Sequence, residues 1–335
     1  MIACENHSDL CGLVQCARPR RRWTRLRRLR RWVAAALALF ASILAGCGQP
    51  TLTLNDAVTI AGCQTPIEAL VEHRSPLGDV DQLLGIEVRF FADGAPLGAE
   101  KTDRRGFARH CCFVPAETKR IEARATVDGV DVTGQGRLYQ WDPTRTILVC
   151  DIDETISETR YSTLLDDMEA DTGSAPLPDS SATLQALAGR FNIVYMTARP
   201  RWLLEKTRRW LVDHGFPDAP VVTAPTLAEA LGVQKFKGGQ IEEWRTLADH
   251  LLIGIGNAET DSEAYAANGL LTIIIDDDDT DDFRAHAVVL RNWAMVGDFF
   301  DANRAELEDA ERLRQIIATE GMLKRPLIRW QRDSD

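Results

Sequence analysis

The run Thr146-Ile147-Leu148-Val149-Cys150-Asp151-Ile152-Asp153-Glu154-Thr155 carries an apolar strand straight into two aspartates. From Ile147 to Cys150 there is no polar alternation, the pattern of a strand covered on both faces of a parallel sheet. Downstream, helix and strand patterns take turns. Residues 182–190 read as a helix, 191–196 as a strand, and 200–214 as a helix opened by Pro200 and closed by Gly215. Val221-Val222 reads as a short strand, 241–250 as a helix, 251–256 as a strand, and 271–275 and 288–290 as two more. Such alternation predicts a Rossmann-like, doubly wound α/β sheet over 143–335, with its site at the carboxyl ends of the strands. Residues 302–320 read as a surface helix with Leu307, Leu313, Ile316 and Ile317 as its apolar positions.

Upstream of the quoted run the period changes to two. Ile86, Val88 and Phe90 alternate with Glu87 and Arg89 before Asp93-Gly94, and Ile121, Ala123, Ala125 and Val127 repeat the pattern before Asp128-Gly129. A further turn is expected between Thr102-Asp103 and Gly106. Short strands at this spacing predict an all-β, immunoglobulin-like sandwich over 47–142, read as a spacer.

Charge is unevenly placed along the 335 residues. Nine arginines precede residue 47 against only Glu5 and Asp9, and the remainder carries 30 basic against 48 acidic residues, a net charge of −18. That surface repels polyanions, which excludes nucleic acid as a general partner. The arginine-rich start leads into an apolar stretch, 32–46, short for a membrane span of about 20 residues. Residues 1–46 therefore read as a signal peptide. Of eight cysteines, Cys4, Cys11 and Cys16 would leave with it; Cys63, Cys111 and Cys112 could form one disulfide in an oxidising compartment, and Cys150 reads as a small buried hydrophobe. No CxxC or Cys/His spacing supports a zinc site.

The chemistry is read from the end of the first buried strand. A carboxylate at Asp151 can attack phosphorus, and a second at Asp153 can protonate the leaving alkoxide and then deprotonate the attacking water. Both could approach a magnesium ion, which offsets their repulsion. Residues 276–280, Asp-Asp-Asp-Asp-Thr after Ile273-Ile274-Ile275, repeat the pattern, but too little chain follows for the remaining strands. The run Asp276–Asp282 reads as a solvated loop, with cation binding the lesser alternative.

The DxDxT string after an apolar strand resembles motif one of the haloacid dehalogenase superfamily. Thr197, ending the strand 193–196, resembles motif two and is implied to hold phosphoryl oxygens. Lys237 in Phe236-Lys237-Gly238-Gly239, ahead of a helix, resembles motif three, with Lys235 the competing residue. Leu251 to Asp261 resembles motif four, where strand-end groups hold magnesium, here implied for Asp151, Asp153, Asn257 and Asp261. Many members have aspartate where this chain has Asn257. Asparagine there, the string Gly256-Asn257-Ala258-Glu259-Thr260-Asp261 reaching to Tyr265, and Thr197-Ala198-Arg199 are similar to the lipin-type phosphatidate phosphatase domain. Related lipin-type domains occur in lipid-transfer proteins without established catalysis. The resemblance implies Thr155, Ala198 and Arg199 as substrate-binding residues.

Only 35 residues, 156–190, separate motifs one and two, too few for a large cap, and in this superfamily a small cap implies an open site and a large substrate. Leu44-Ala45-Gly46-Cys47 resembles the lipobox of bacterial lipoproteins, with Cys47 the lipidated residue. Together these imply an enzyme of the bacterial cell envelope, facing the periplasm or exterior and held to the membrane through Cys47. It would be a magnesium-dependent phosphate monoester hydrolase acting through an aspartyl-phosphate on a lipid phosphate such as phosphatidate. The alternatives are a phosphatase of protein, glycan or polynucleotide-end phosphates, and a non-catalytic phosphate-binding module. Arg199, Arg201, Lys206, Arg208 and Arg209 form either a basic patch for anionic lipid or a solvated helix face.

Overall fold

The computed structural model describes residues 49–60, 63–74, 80–115, 117–158, 174–225, 227–276 and 287–319. The cores and the site described below lie in one compact unit that takes in Pro50 to Glu72 and the chain from Gln82 onward. The predicted signal peptide, Cys47, the segment 159–173 and residues 277–286, which take in most of the acidic run, lie outside the described residues.

The first part is all β: β1 (Gln49–Leu54), β2 (Ala57–Ile60), β3 (Thr65–Arg74), the short β4 (Val80–Gln82), β5 (Glu87–Ala92), β6 (Ala95–Lys101), β7 (Phe107–Cys112), β8 (Arg120–Val127) and β9 (Val130–Trp141). One sheet has the order β2-β9-β8-β5-β6, and in the other β3 pairs with β1 and β7. The predicted alternation holds, since Val88 and Phe90 on β5 and Ile121, Ala123 and Val127 on β8 all point into one core with Leu54, Ile67 and Val71. The two Asp-Gly turns lie with both residues at positive φ, 45° and 87° for Asp93-Gly94 and 50° and 82° for Asp128-Gly129, which matches the twist of two-residue hairpins. Cys63, Cys111, Cys112 and Cys150 are free thiols in this structure, and Cys150 is fully buried.

The second part is a six-stranded parallel sheet, order β12-β11-β10-β13-β14-β15, built from β10 (Ile147–Cys150), β11 (Asn192–Pro200), β12 (Val221–Ala224), β13 (Leu251–Gly256), β14 (Leu271–Ile275) and β15 (Val288–Leu290). Leu148 and Cys150 face a cluster completed by α1 (Ser180–Ala188), α2 (Leu204–Asp213), α6 (Trp293–Ala302), α7 (Arg304–Leu307) and α8 (Ala310–Ala318). Ile147 and Val149 face the opposite cluster, with residues of α3 (Leu227–Leu231), α4 (Val233–Leu247) and α5 (Glu259–Ala267). The chain runs from β10 outward to β11 and β12, then returns to the far side of β10 as β13. The order therefore reverses between β10 and β13, where open α/β sheets hold their ligands.

Several helices differ from expectation. Helix α4 begins at Val233, eight residues early, and contains Lys237, Gly238 and Gly239. Val233, Phe236 and Ile241 pack on the sheet in one continuous stripe, and that burial outweighs the roughly 1 kcal/mol by which each glycine disfavours a helix. The stretch read as one surface helix instead holds the end of α6 and two short helices, α7 and α8, as far as residue 319, broken where Asp309 caps α8 by accepting the N–H of Arg312. Leu307 and Leu313 are core residues. The region 200–214 opens with a 3₁₀ turn, Arg201–Leu203, before α2.

Three of the arginines considered as a patch, Arg199, Arg201 and Arg208, are buried, whereas Arg209 is exposed and Lys206 half-buried. Arg208 is buried against Asp56, whose carboxylate also accepts the N–H of Arg137 and Val221, so one side chain ties β9 and β12 to α2. Arg201 is buried as well, 3.6 Å from Glu68 and over the Phe107 ring.

Candidate active site

Asp151 follows β10 directly, and its N–H donates to the Ile255 carbonyl of β13 (2.9 Å), so its place is set by the two central strands. The chain then turns sharply. Thr155, Ile156 and Ser157 all donate their N–H to the Ile152 carbonyl, and Glu154 takes φ of 56°. A positive φ is uncommon for a side chain that long and recurs where strain serves a site. The Trp293 indole of α6 donates to the Thr155 carbonyl at 2.7 Å and holds the turn from behind. Thr155 Oγ1 lies 3.1 Å from both Asp151 Oδ2 and Asn257 Oδ1 and can donate to either. Motifs one and four are thus tied together by a hydroxyl.

Lys237 reaches in from α4. Its Nζ donates to Asp151 Oδ1 at 2.6 Å and makes an equally direct contact with Asp261 Oδ1. The other oxygen of Asp261 accepts the N–H of Asn257 and of Ala258, both at 3.2 Å. Asp261 is therefore committed to the lysine and to the loop after β13. Its approach depends on Gly256, where an added Cβ would lie 2.5 Å from Asp261 Cβ; at Gly254 one would lie 2.4 Å from the Tyr265 ring. Lysine at 235 is exposed, so Lys237 is the residue of the site.

Burial is the main cause that pushes the Asp151 carboxyl up, to about 7, with Asp261 and Asp153 adding to it against the pull of Lys237. Burial opposes the charge on Lys237, but the Asp151 and Asp261 carboxylates hold its ammonium above the usual range. The cluster holds more negative charge than its cations offset.

Asp153 is held from the other side by β11. Arg199 donates Nε to Oδ1 (3.0 Å) and Oδ2 (3.1 Å) and Nη2 to Oδ1 (2.7 Å), while Thr197 Oγ1 donates to Oδ2 at 3.0 Å. The register shift between β11 and β12 at Thr197–Pro200 accompanies this stretch. Thr197 and Arg199, implied as phosphoryl-binding residues, thus spend these donors on Asp153.

A cavity of about 180 Å³ opens above these groups, lined by Asp151, Asp153, Lys237, Asn257 and Asp261 together with Glu154, Ala198, Val233, Ala258 and Thr260. Among the described residues, no three His, Cys, Asp or Glu side chains are grouped to share one metal ion. The fit to magnesium rests instead on Asp151, Asp153 and the Asn257 amide oxygen, all on this cavity. That is a hard, all-oxygen donor set in a site short of positive charge, and it suits magnesium. Asp151, Asp153, Ala198, Lys237, Asn257 and Asp261 line this cavity, and Thr155, Thr197 and Arg199 bond to its carboxylates from behind. Glu154, Thr260 and Thr207, which accepts from Arg199 Nη1 at 3.2 Å, were not singled out from sequence. Only the spacing of Glu154 within DxDxT could have pointed to it.

Residues 148–275 match the family model described as PITM 1-3, LNS2 domain, a lipin-related domain of the haloacid dehalogenase-like phosphatases. No curated protein matches the chain. Among solved structures, the trigonal form of titin M4 is 14% identical over 28% of this chain and 94% of its own, with a TM-score of 0.21. The human B7-H4 IgV-like domain is 7% identical over 27% and 96%, at 0.20. Bacteroides uniformis beta-glucuronidase 3 is 9% identical over 72% and 34%, at 0.30. Likeness at this level assigns no activity.

Proposed function

We propose that the α/β part, 143–335, is a magnesium-dependent phosphate monoester hydrolase whose substrate is a phosphorylated membrane lipid, phosphatidate before others. One observation carries the reading: Asp151 and Asp153 leave the central strand into one cavity, with Lys237 against the first and Thr197 and Arg199 against the second. The family match over 148–275 supports a phosphatase-type domain independently of that geometry.

In the first step an Asp151 oxygen attacks phosphorus, the ester P–O bond breaks, and the departing alkoxide takes a proton from Asp153. In the second, Asp153 takes a proton from water, the water oxygen attacks phosphorus, and the Asp151–phosphorus bond breaks. Lys237 favours the ionised form of Asp151 and aims it, and Asp261 holds Lys237 and the loop carrying Asn257. Magnesium held by Asp151, Asp153 and Asn257 would supply the positive charge that lets an anionic nucleophile approach an anionic phosphoryl group.

Three features favour a lipid. The matching family is lipin-related. The interval 156–190 is too short for a large cap. Lipidation at Cys47 would tether the enzyme beside its substrate at the bacterial cell envelope, raising local concentration without a new contact. The anchor, rather than surface charge, would provide membrane contact, because the mature chain is acidic and its arginines at 201 and 208 are buried. A second reading, phosphate recognition without turnover, is favoured by the engagement of both Asp153 oxygens.

The test measures phosphate release with magnesium from phosphatidate in mixed micelles, from sugar phosphates and from phosphopeptides. Phosphatidate should give the highest kcat/KM, and Asp151→Asn should abolish release. A soluble substrate better by tenfold would overturn the lipid assignment. Phosphate retention without release from any substrate would overturn the enzyme in favour of the binder.

A further inference from the structure

Arg199 stands behind Asp153 rather than on the cavity. The cavity is lined by its neighbour Ala198 and by Asp153, while Arg199 is buried beneath them. Three of its donor contacts go to Asp153, and Nη1 is anchored on the fully buried Thr207 hydroxyl of α2 at 3.2 Å. Its own N–H donates to Thr197 Oγ1 at 3.1 Å, and that hydroxyl in turn donates to Asp153. Strand β11 therefore grips one carboxylate with a planar fork and a hydroxyl, and helix α2 locks the fork. A guanidinium used this way fixes the angle of a carboxylate as well as its distance, which an ammonium does not.

We propose that Arg199 is a positioning residue for Asp153, not a ligand of the phosphoryl group, and that it makes the site selective for esters whose leaving alcohol must be protonated. The inference rests on the phosphatase reading above. A lipid alkoxide is a poor leaving group and departs only as fast as Asp153 delivers a proton to it, so the aim of that carboxyl limits the first step. A 4-nitrophenolate departs unprotonated and makes no such demand. A phosphoryl ligand would serve both substrates alike.

The experiment follows the first turnover, with full-length enzyme in excess over substrate and magnesium present. Release of diacylglycerol from phosphatidate and of 4-nitrophenol from 4-nitrophenyl phosphate is timed for wild type and Arg199→Gln, each checked for an unchanged melting profile. Proton delivery by a placed acid contributes on the order of 10²–10⁴-fold. Diacylglycerol release should slow by about 10²-fold or more, and 4-nitrophenol release by less than about tenfold. KM for either substrate should stay within about threefold. Arg199→Lys, which keeps charge but not the fork, should behave like Arg199→Gln. Thr207→Val, which frees only the far end of the guanidinium, should show the same preference in milder form, and it stands in should Arg199→Gln fail to fold. Equal slowing of both substrates, or a KM that rises tenfold for both, would overturn positioning and leave Arg199 a phosphate ligand. A wild-type enzyme that releases neither alcohol would instead remove the phosphatase reading itself.

Discussion

Asp151 carries a cost that can be measured without any substrate. Its carboxyl is pushed from the ordinary 3.8 to about 7, first by burial and then by Asp261 and Asp153, with Lys237 opposing. A carboxyl raised on folding stabilises the native state while protonated, and that contribution is lost as pH rises through the folded pKa. The loss accumulates between about pH 4 and pH 7 and is complete above 7. The part of the loss that falls between pH 5 and pH 7 is on the order of 3 kcal/mol, at about 1.4 kcal/mol for each pH unit. For a unit of this size that corresponds to about 5–10 °C in Tm. The assay is differential scanning calorimetry in EDTA across pH 5–8, comparing wild type with Asp151→Asn, which shares every other titrating group. Wild type should lose about 5–10 °C relative to the variant as pH rises. Magnesium at pH 8 should restore much of that difference, and at pH 5, where Asp151 holds its proton, little of it. Parallel pH profiles for the two proteins in EDTA would refute the idea of an electrostatically loaded site. An absent magnesium response at pH 8 would refute the assignment of Asp151, Asp153 and Asn257 as its ligands.

Thr197→Ala removes the hydroxyl that donates to Asp153 and should lower kcat on the order of 10²-fold, as loss of one oriented donor does in other active sites; unchanged kinetics would remove Thr197 from the machinery. Gly256→Ala drives a methyl group into Asp261 and should lower stability by about 1–3 kcal/mol, read as a shifted urea midpoint, with a loss of turnover greater than at Gly239, where a Cβ meets nothing. Cys47→Ser should leave unprocessed precursor, whereas mass spectrometry finding an unmodified wild-type chain that retains 1–46 would exclude the lipoprotein signal.

How much of the fold could be read in advance depended on whether a local pattern had one physical meaning. An unbroken apolar run such as Ile147–Cys150, between polar segments and followed by helix–strand alternation, has few uses besides a central parallel strand, and β10 is that strand. Asp93-Gly94 and Asp128-Gly129 were legible because two-residue hairpins need positive φ at both positions. The start of α4 was illegible for the converse reason. Gly238-Gly239 reads as a break, and only the packing of Val233 and Phe236 on the far side of the pair keeps the helix going. The break at Asn303 and the capping by Asp309 were likewise hidden beneath an apolar periodicity that continues across them.

At the site, the residues were legible and their pairing was not. DxDxT, Thr197, Lys237 and Asn257-to-Asp261 each announce a position at the end of a strand or on a helix; Asp151, Asp153, Lys237, Asn257 and Asp261 line one cavity, and Thr155 and Thr197 bond to its carboxylates. Sequence order does not say that Arg199 would turn to Asp153, 46 residues upstream, or that Lys237 would divide itself between Asp151 and Asp261. Those choices follow from charge and burial. Three carboxylates at 151, 153 and 261 are taken out of water together, a costly arrangement unless each finds a cation. Two cations serve them: Arg199 pairs with Asp153, and Lys237 is shared by the other two. The unmet fraction falls on Asp151, the residue that must attack an anionic phosphoryl group. A site arranged in this way favours the arrival of a divalent cation with the substrate, because the cation offsets both the fixed carboxylates and the phosphate. Asparagine rather than aspartate at 257 fits the same balance: a fourth carboxylate would deepen the deficit, whereas its amide oxygen can accept from Thr155 without adding charge.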